Sequence, residues 1–365
     1  MKSDLYMLVF GIIVLLVLVA LATTAIFNRI TAPKNTTAPS GANVTAPSQN
    51  LTDYGIAPPL KGIAYWINSQ PLNLTQLKGK VVLLDFWTYS CINCIRTLPY
   101  LEAWQKEYGS KGLVIIGVHT PEFQFEHNYT NVLNAVKADN ITYAVAMDNN
   151  YSTWYEYGNQ AWPEHYLIDK NGHVREIQIG EGGYNTTQND IVQLLQQAGY
   201  NATMVSMNVS STVNFSGINT PEVYFGYLYA SGRDYIGNSE GFQPNKTVSY
   251  MLSVPIRNST AYLSGQWYNA PDGMVAVNSS KIFLKYRAKN VNIVASGNST
   301  ETIKLDGKNV TQIYLGSDDK LVNGVAVVGV NASRLYNVIS GPTYGWHTLE
   351  IDASPGFKIY TFTFG

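Results

Sequence analysis

Cysteine is nearly absent: the 365-residue chain has two, Cys91 and Cys94, three positions apart. A structural disulfide framework needs more cysteines at wider spacing. A tetrahedral zinc site needs two further ligands, and no histidine stands within a short spacing of the pair. Only a mixed site assembled in space from the five scattered histidines stays open, and no metal or other cofactor is expected. Charge is scarce too. Asp, Glu, Lys and Arg make up 13% of the chain, about half the usual ~25%. A net charge of −1 with no basic face excludes nucleic acid as a partner. Tyr, Asn, Ser and Thr fill the gap, and a hydrophobic share of 45% argues against disorder.

Long apolar runs are also rare, with one exception. Leu5 to Phe27 is an uncharged stretch rich in Leu, Val and Ile. As a helix it would reach about 34 Å, enough to cross a ~30 Å hydrocarbon core. A cleaved signal peptide is the competing reading, with Ala20-Leu21-Ala22 as the cut, but the run continues past that site. Seventeen Asn-X-Ser/Thr sites follow it, from Asn35 to Asn331, and none precedes it. Composition alone would supply roughly five or six, so the excess points to glycan acceptors. The expected topology is a cytoplasmic stub at 1–4, a single transmembrane helix at 5–27, and everything after it outside the cell membrane. Low charge, high Tyr and dense glycosylation suggest an archaeal surface. Residues 28–54, with Thr-Ala-Pro twice, read as a flexible glycosylated stalk.

Between 55 and 200, strand and helix patterns alternate. Val81 to Phe86 and Leu113 to Val118 are short apolar runs suited to strands buried on both faces. Ile95, Leu98, Leu101 and Trp104 mark a helix from Cys91 to Tyr108, ended by Gly109. Asn131 to Ala138 reads as a helix and Tyr143 to Met147 as a strand. Tyr166 to Ile168 and Val174 to Ile179 form a hairpin, and Asp190 to Ala198 a closing helix. The class is α/β with helices on both sheet faces. From 201 to 365 no long helical period occurs; β-branched and aromatic runs recur between Gly, Asn and Pro, the pattern of an all-β sandwich or jelly roll.

The chemistry lies in Cys91-Ile92-Asn93-Cys94. At a helix start after a buried strand, free N–H groups and the positive dipole end stabilise a thiolate. Cys91 is therefore the expected nucleophile. Cys94, one turn behind, is placed to resolve the mixed disulfide by closing Cys91–Cys94. The β region has no cysteine, and its one histidine is His347, so it is expected to fold alone and supply no catalytic group.

The surrounding residues carry a family resemblance. Asp85-Phe86-Trp87 before the pair, Pro99 after it, and Trp162-Pro163 before the hairpin resemble thioredoxin. The stretches Thr88-Tyr89-Ser90-Cys91, His119-Thr120-Pro121-Glu122-Phe123, Trp162-Pro163-Glu164-His165-Tyr166 and Gly180-Glu181-Gly182 resemble the soluble part of DipZ-type proteins, related to TlpA/ResA-like thioredoxins. So do Thr220-Pro221-Glu222, Arg334-Leu335-Tyr336 and Phe362-Thr363-Phe364-Gly365. The resemblance implies a thioredoxin-like domain at 55–200 and a carbohydrate-binding-module-like domain at 201–365, with a glycan as its ligand. It implies a cis Pro163 that turns the Trp162 backbone to the substrate, Asp85 as proton acceptor for the resolving thiol, Trp162 as a substrate contact, Trp87 as either a substrate contact or core packing, and Pro99 as a helix kink. His119, Glu122 and Glu181 belong to the signature without an assigned role. DipZ-type proteins begin with a multi-span CcdA-like domain. A single helix here implies a separate CcdA-like membrane electron donor, with disulfide-containing surface proteins as substrates. Two other readings remain: a peroxiredoxin-like thiol peroxidase, since Thr88-Tyr89-Ser90-Cys91 fits part of that motif although Leu84 replaces its proline, and a surface glycan-binding protein with a secondary redox pair.

Overall fold

The computed structural model describes residues 51–209, 213–230, 236–252 and 255–365. The expected membrane helix and residues 28–50 of the expected stalk lie outside them. Among the described residues no helix is long and apolar enough to cross a membrane.

The first region runs β1 (Tyr65–Ile67), β2 (Val81–Trp87), α1 (Ile92–Tyr108), β3 (Leu113–His119), α2 (Tyr129–Ala138), β4 (Ala144–Met147), α3 (Ser152–Glu156), β5 (Glu164–Ile168), β6 (Val174–Ile179) and α4 (Tyr184–Gln197). The sheet order is β1-β4-β3-β2-β5-β6. β2, β3 and β4 run parallel, while β1, β5 and β6 pair antiparallel. All seven residues of central β2 are buried, because each sheet face has its own core. Val81, Leu83 and Trp87 pack with Leu98, Leu101 and Trp104 of α1 and with Leu194 and Leu195 of α4. Val82, Leu84 and Phe86 point the other way, toward Trp154 and Tyr166. The two-residue period therefore puts Asp85 on the α1 side of the sheet. Gly117 of β3 is there because a Cβ at that position would stand 2.8 Å from Trp87 Nε1.

Several boundaries differ from the sequence reading. Helix α4 starts at Tyr184, not Asp190, because its first turn is polar and hides the apolar period; Gly183 leads into it at φ 66°. Residues 51–54, expected to end the stalk, are tied to the β5–β6 hairpin. Tyr54 N–H donates to the Val174 carbonyl, and the Arg175 guanidinium donates to the carbonyls of Leu51 and Thr52.

The second region holds β7 (Val223–Tyr224), β8 (Thr247–Tyr250), β9 (Thr260–Asn269), β10 (Met274–Ala276), β11 (Ser280–Ser296), β12 (Ser299–Leu305), β13 (Lys308–Asn309), β14 (Asp319–Val322), β15 (Val325–Val330), β16 (Arg334–Ala353) and β17 (Lys358–Phe364). Every ladder is antiparallel. Instead of two separate sheets, hydrogen bonds link the strands into one continuous path, β14-β15-β12-β16-β11-β17-β10-β9-β8. The long pair β11 and β16 carries it round a single core, with register shifts between Ala288 and Asn290. Such shifts bend a strand.

The two regions belong to one compact unit, residues 50–365. Phe123, Val294 and Tyr360 form a buried cluster between them, with Phe125, Tyr224, Tyr229 and Leu335 against it. Hydrogen bonds across the contact include Tyr89 Oη to the Ser333 carbonyl at 2.9 Å, Tyr224 Oη to Glu122 Oε1 at 2.7 Å, Tyr229 Oη to the Glu122 carbonyl, and Arg96 Nη1 to the Phe364 carbonyl at 3.4 Å.

Candidate active site at Cys91

Cys91 caps α1. Its backbone is extended (φ −83°, ψ 118°), and its carbonyl accepts the N–H of Ile95 at 3.0 Å. The half-buried thiol lies 3.7 Å from the Trp162 carbonyl. Trp162–Pro163 is a cis peptide bond, and Trp162 is fixed by donating from Nε1 to the Thr120 carbonyl at 3.0 Å. Cys94 is 1% exposed. Both sulfurs are free thiols. Burial pushes the Cys94 thiol well above its ordinary range, and the nearby Cys91 and the charge of Asp85 add to that. The pair thus consists of one accessible sulfur and one that must be helped to lose its proton.

Asp85 sits beneath this pair, 1% exposed. In the β2–β5 ladder it stands opposite His165, and Asp85 Oδ1 is 3.0 Å from His165 Nε2. The two are at ion-pair distance without the angular alignment of a hydrogen bond. His165 had no role in the sequence reading; the register that brings it to Asp85 exists only once β5 pairs antiparallel with β2.

Of the two roles open to Trp87, packing and substrate contact, its position fits packing: it is fully buried and meets His119 edge-on at 5.3 Å. It packs the core beneath the site, because it faces α1 and not the surface. The signature loop after β3 gains a physical role. Glu126 accepts the Ser90 hydroxyl at 2.6 Å and the backbone N–H groups of Glu122 and Phe123 at 2.6 and 2.8 Å. This carboxylate clamps the loop to the residue before Cys91. Phe123 and Phe125 then insert into the inter-region cluster. Glu181 holds Arg96, two residues after Cys94, through a half-buried ion pair of 2.7 Å. Pro99 lies within α1.

The β region reaches the sulfur, against the expectation that it would stand apart. A cavity of about 60 Å³ is lined by Cys91, Ser90, Asn93 and Trp162 from one side. Glu222, Tyr224, Val294, Thr361 and Thr363 line it from the other. Glu222 and Thr363 lie in stretches that carry the family resemblance, but nothing local ties any of the five to Cys91; the docking of the two regions brings them there.

His119, fully buried, and Glu122, half-buried, predict how stability follows pH. Burial holds the His119 pKa down at about 3, so the ring is neutral in the fold. An unfolded histidine binds a proton near its ordinary 6.5. Acidification from there toward pH 3 therefore favours unfolding by about 1.4 kcal/mol per pH unit. Glu122 acts in the opposite sense: burial, Glu222 and Glu126 push it up to about 8 from 4.5. The stability it contributes is complete below pH 4.5 and lost as pH rises through 8. Stability at pH 3.5 relative to pH 7, from urea unfolding, should be higher in His119→Gln than in the parent, because the opposing Glu122 dependence is left unbalanced, and an unaltered pH slope would refute the assignment.

Residues 59–195 match the Redoxin family, and residues 220–365 match the family described as Thioredoxin like C-terminal domain. With the fold, these matches define the class: a Redoxin-type, thioredoxin-like domain followed by a β-rich region. The chain is a homologue of Protein DipZ of Mycobacterium tuberculosis, 37% identical over 334 residues, which are 89% of this chain and 45% of DipZ. It is 33% identical over 115 residues to the thiol-disulfide oxidoreductase ResA of Bacillus cereus, covering 32% of this chain and 64% of ResA. A thiol-disulfide isomerase structure from Corynebacterium glutamicum aligns at 22% identity with a TM-score of 0.34, over 38% of this chain and 96% of that one. The chain spans about half the length of DipZ.

Proposed function

We propose that the chain is a thiol–disulfide oxidoreductase that exchanges disulfides of surface proteins through Cys91 and Cys94. The observation that carries this reading is the asymmetry of the pair: Cys91 is an accessible helix cap facing the Trp162 carbonyl, and Cys94 is buried one turn behind it. Cys91 attacks a substrate disulfide, forming a mixed disulfide and expelling one substrate thiol. Cys94, deprotonated with the help of Asp85, then attacks the Cys91 sulfur, releasing the second substrate thiol and leaving Cys91–Cys94 as a disulfide. The backbone beside cis Pro163 offers an extended edge to the substrate, with Trp162 as its side-chain contact. Resetting the pair takes two electrons from a dithiol donor, for which a CcdA-like membrane protein is the proposed source.

The apolar run at 5–27 and the sequons that follow it support an anchored, glycosylated protein with the redox domain outside the cell membrane. Deleting residues 1–30 should release a soluble protein with unaltered thiol activity, and mature protein beginning near Thr23 would exclude the anchor. A glycan ligand for residues 201–365 remains a second, separate proposal.

Trapping tests the central claim. Cys94→Ser should accumulate mixed disulfides with partner proteins, seen as reducible adducts on gels, and Cys91→Ser should form none. Adducts on Cys91→Ser but not on Cys94→Ser would reverse the roles.

A further inference from the structure

The cavity beside Cys91 is built as well as shared. Thr363 of β17 lines it, is 3% exposed, and its hydroxyl has no hydrogen-bond partner. Such a buried hydroxyl costs free energy unless something accepts from it. Tyr224 lines the cavity too, and its single hydroxyl lies 2.7 Å from Glu122 Oε1 and 3.0 Å from Glu222 Oε2. One phenol has one proton to donate. For both contacts to be hydrogen bonds, one of the two carboxyls must donate, and so must carry a proton. The cavity at the attacking sulfur therefore holds an available acid.

Thiol–disulfide exchange needs such an acid. When Cys91 attacks R–S–S–R′, the new Cys91–S–S–R bond forms as the bond to SR′ breaks. The electron pair goes to R′S⁻, a basic anion in a poorly solvated place. Its departure is faster if a proton meets it. About 60 Å³ accommodates a sulfur with its methylene, given that a water's share of liquid volume is about 30 Å³.

Taking Cys91 as the nucleophile, we propose that this cavity is the leaving-thiol subsite, in which Glu122, bridged through Tyr224 to Glu222, protonates the departing sulfur. Thr363 donates its hydroxyl to the same sulfur. The mixed disulfide is formed, R′SH leaves neutral, and Glu122 recovers its proton from solvent. The second region is then half of the redox site. Groups facing the Glu122 carboxyl are Glu222, Tyr224 and Tyr229 from the β region and Glu126 and Tyr151 from the first. Burial among them pushes Glu122 up to about 8, so a proton stays available at neutral pH.

Two neutral disulfides of different leaving group test this in the full chain carrying Cys94→Ser. Hydroxyethyl disulfide expels a basic aliphatic thiolate that needs a proton, and dipyridyl disulfide expels a stabilised one that needs none. Glu122→Gln should slow adduct formation at Cys91 with the first about 10²-fold and with the second less than about threefold. Tyr224→Phe should show the same selectivity to a smaller degree, which decides the matter if Glu122→Gln does not fold. Equal slowing with both probes, or no slowing with either, overturns the proposal. Failure of Cys91 to react with either probe while Glu122 is intact would instead overturn the assignment of Cys91 as nucleophile.

Discussion

Phe123→Ala is expected to destabilise the chain by about 3–5 kcal/mol, the cost of truncating a buried aromatic side chain. Phe123 is fully buried and packs between the two regions, with ring centroids 5.6 Å from Phe125, 5.4 Å from Tyr229 and 5.1 Å from Tyr360. Truncation leaves a hole where both regions meet, and neither can close it without moving β17 or the loop after β3. Denaturant unfolding followed by fluorescence would measure the loss, and Phe123→Leu should recover part of it. A change under about 1 kcal/mol would mean that the contact is not held together by this cluster. The same packing alters the expected outcome of cutting the chain near Tyr200. Such a fragment would expose Phe123, Phe125 and Tyr89 and lose one wall of the Cys91 cavity, so it should exchange disulfides poorly even where it folds.

Asp85→Asn has the next largest expected effect, and two physical readings predict opposite signs. If Asp85 accepts the proton of Cys94, losing the carboxylate should lengthen the life of the Cys91 mixed disulfide by about 10²-fold or more. If it is only a nearby negative charge, it opposes the Cys94 thiolate, and its removal should speed release. The first effect exceeds the second in magnitude, because a buried thiol with no base has no route for its proton. His165 at 3.0 Å offers that route onward, so His165→Gln should slow release in the same direction and less. Release is measured by forming the mixed disulfide on Cys91 and following the freed thiol. Faster release from Asp85→Asn would exclude it as the acceptor.

Much of the molecule was legible because its signals are local. A Cys-X-X-Cys pair at the start of a period-3.6 stretch, behind a strand apolar at every position but Asp85, specifies an α/β redox site without reference to anything distant in the chain. The β-branched runs beyond residue 201 marked an all-β region in the same way. The polar first turn of α4 and the short β1 escaped, since neither has enough apolar residues to show a period.

What the sequence alone determined is the position of the Cys91-X-X-Cys94 pair, its order along the helix, and an aspartate on the preceding strand, all within ten residues. Only the tertiary structure decided what surrounds that pair. His165 reaches Asp85 through an antiparallel register, Trp87 turns inward because β2 is covered on both faces, and the loop from His119 to Phe125 becomes a plug between the two regions. Tyr224, Glu222 and Thr363 arrive at Cys91 from more than a hundred residues away. Side chains that serve a site from that distance carry no spacing pattern; they are selected by the shape and charge of a contact that exists only after both regions have folded.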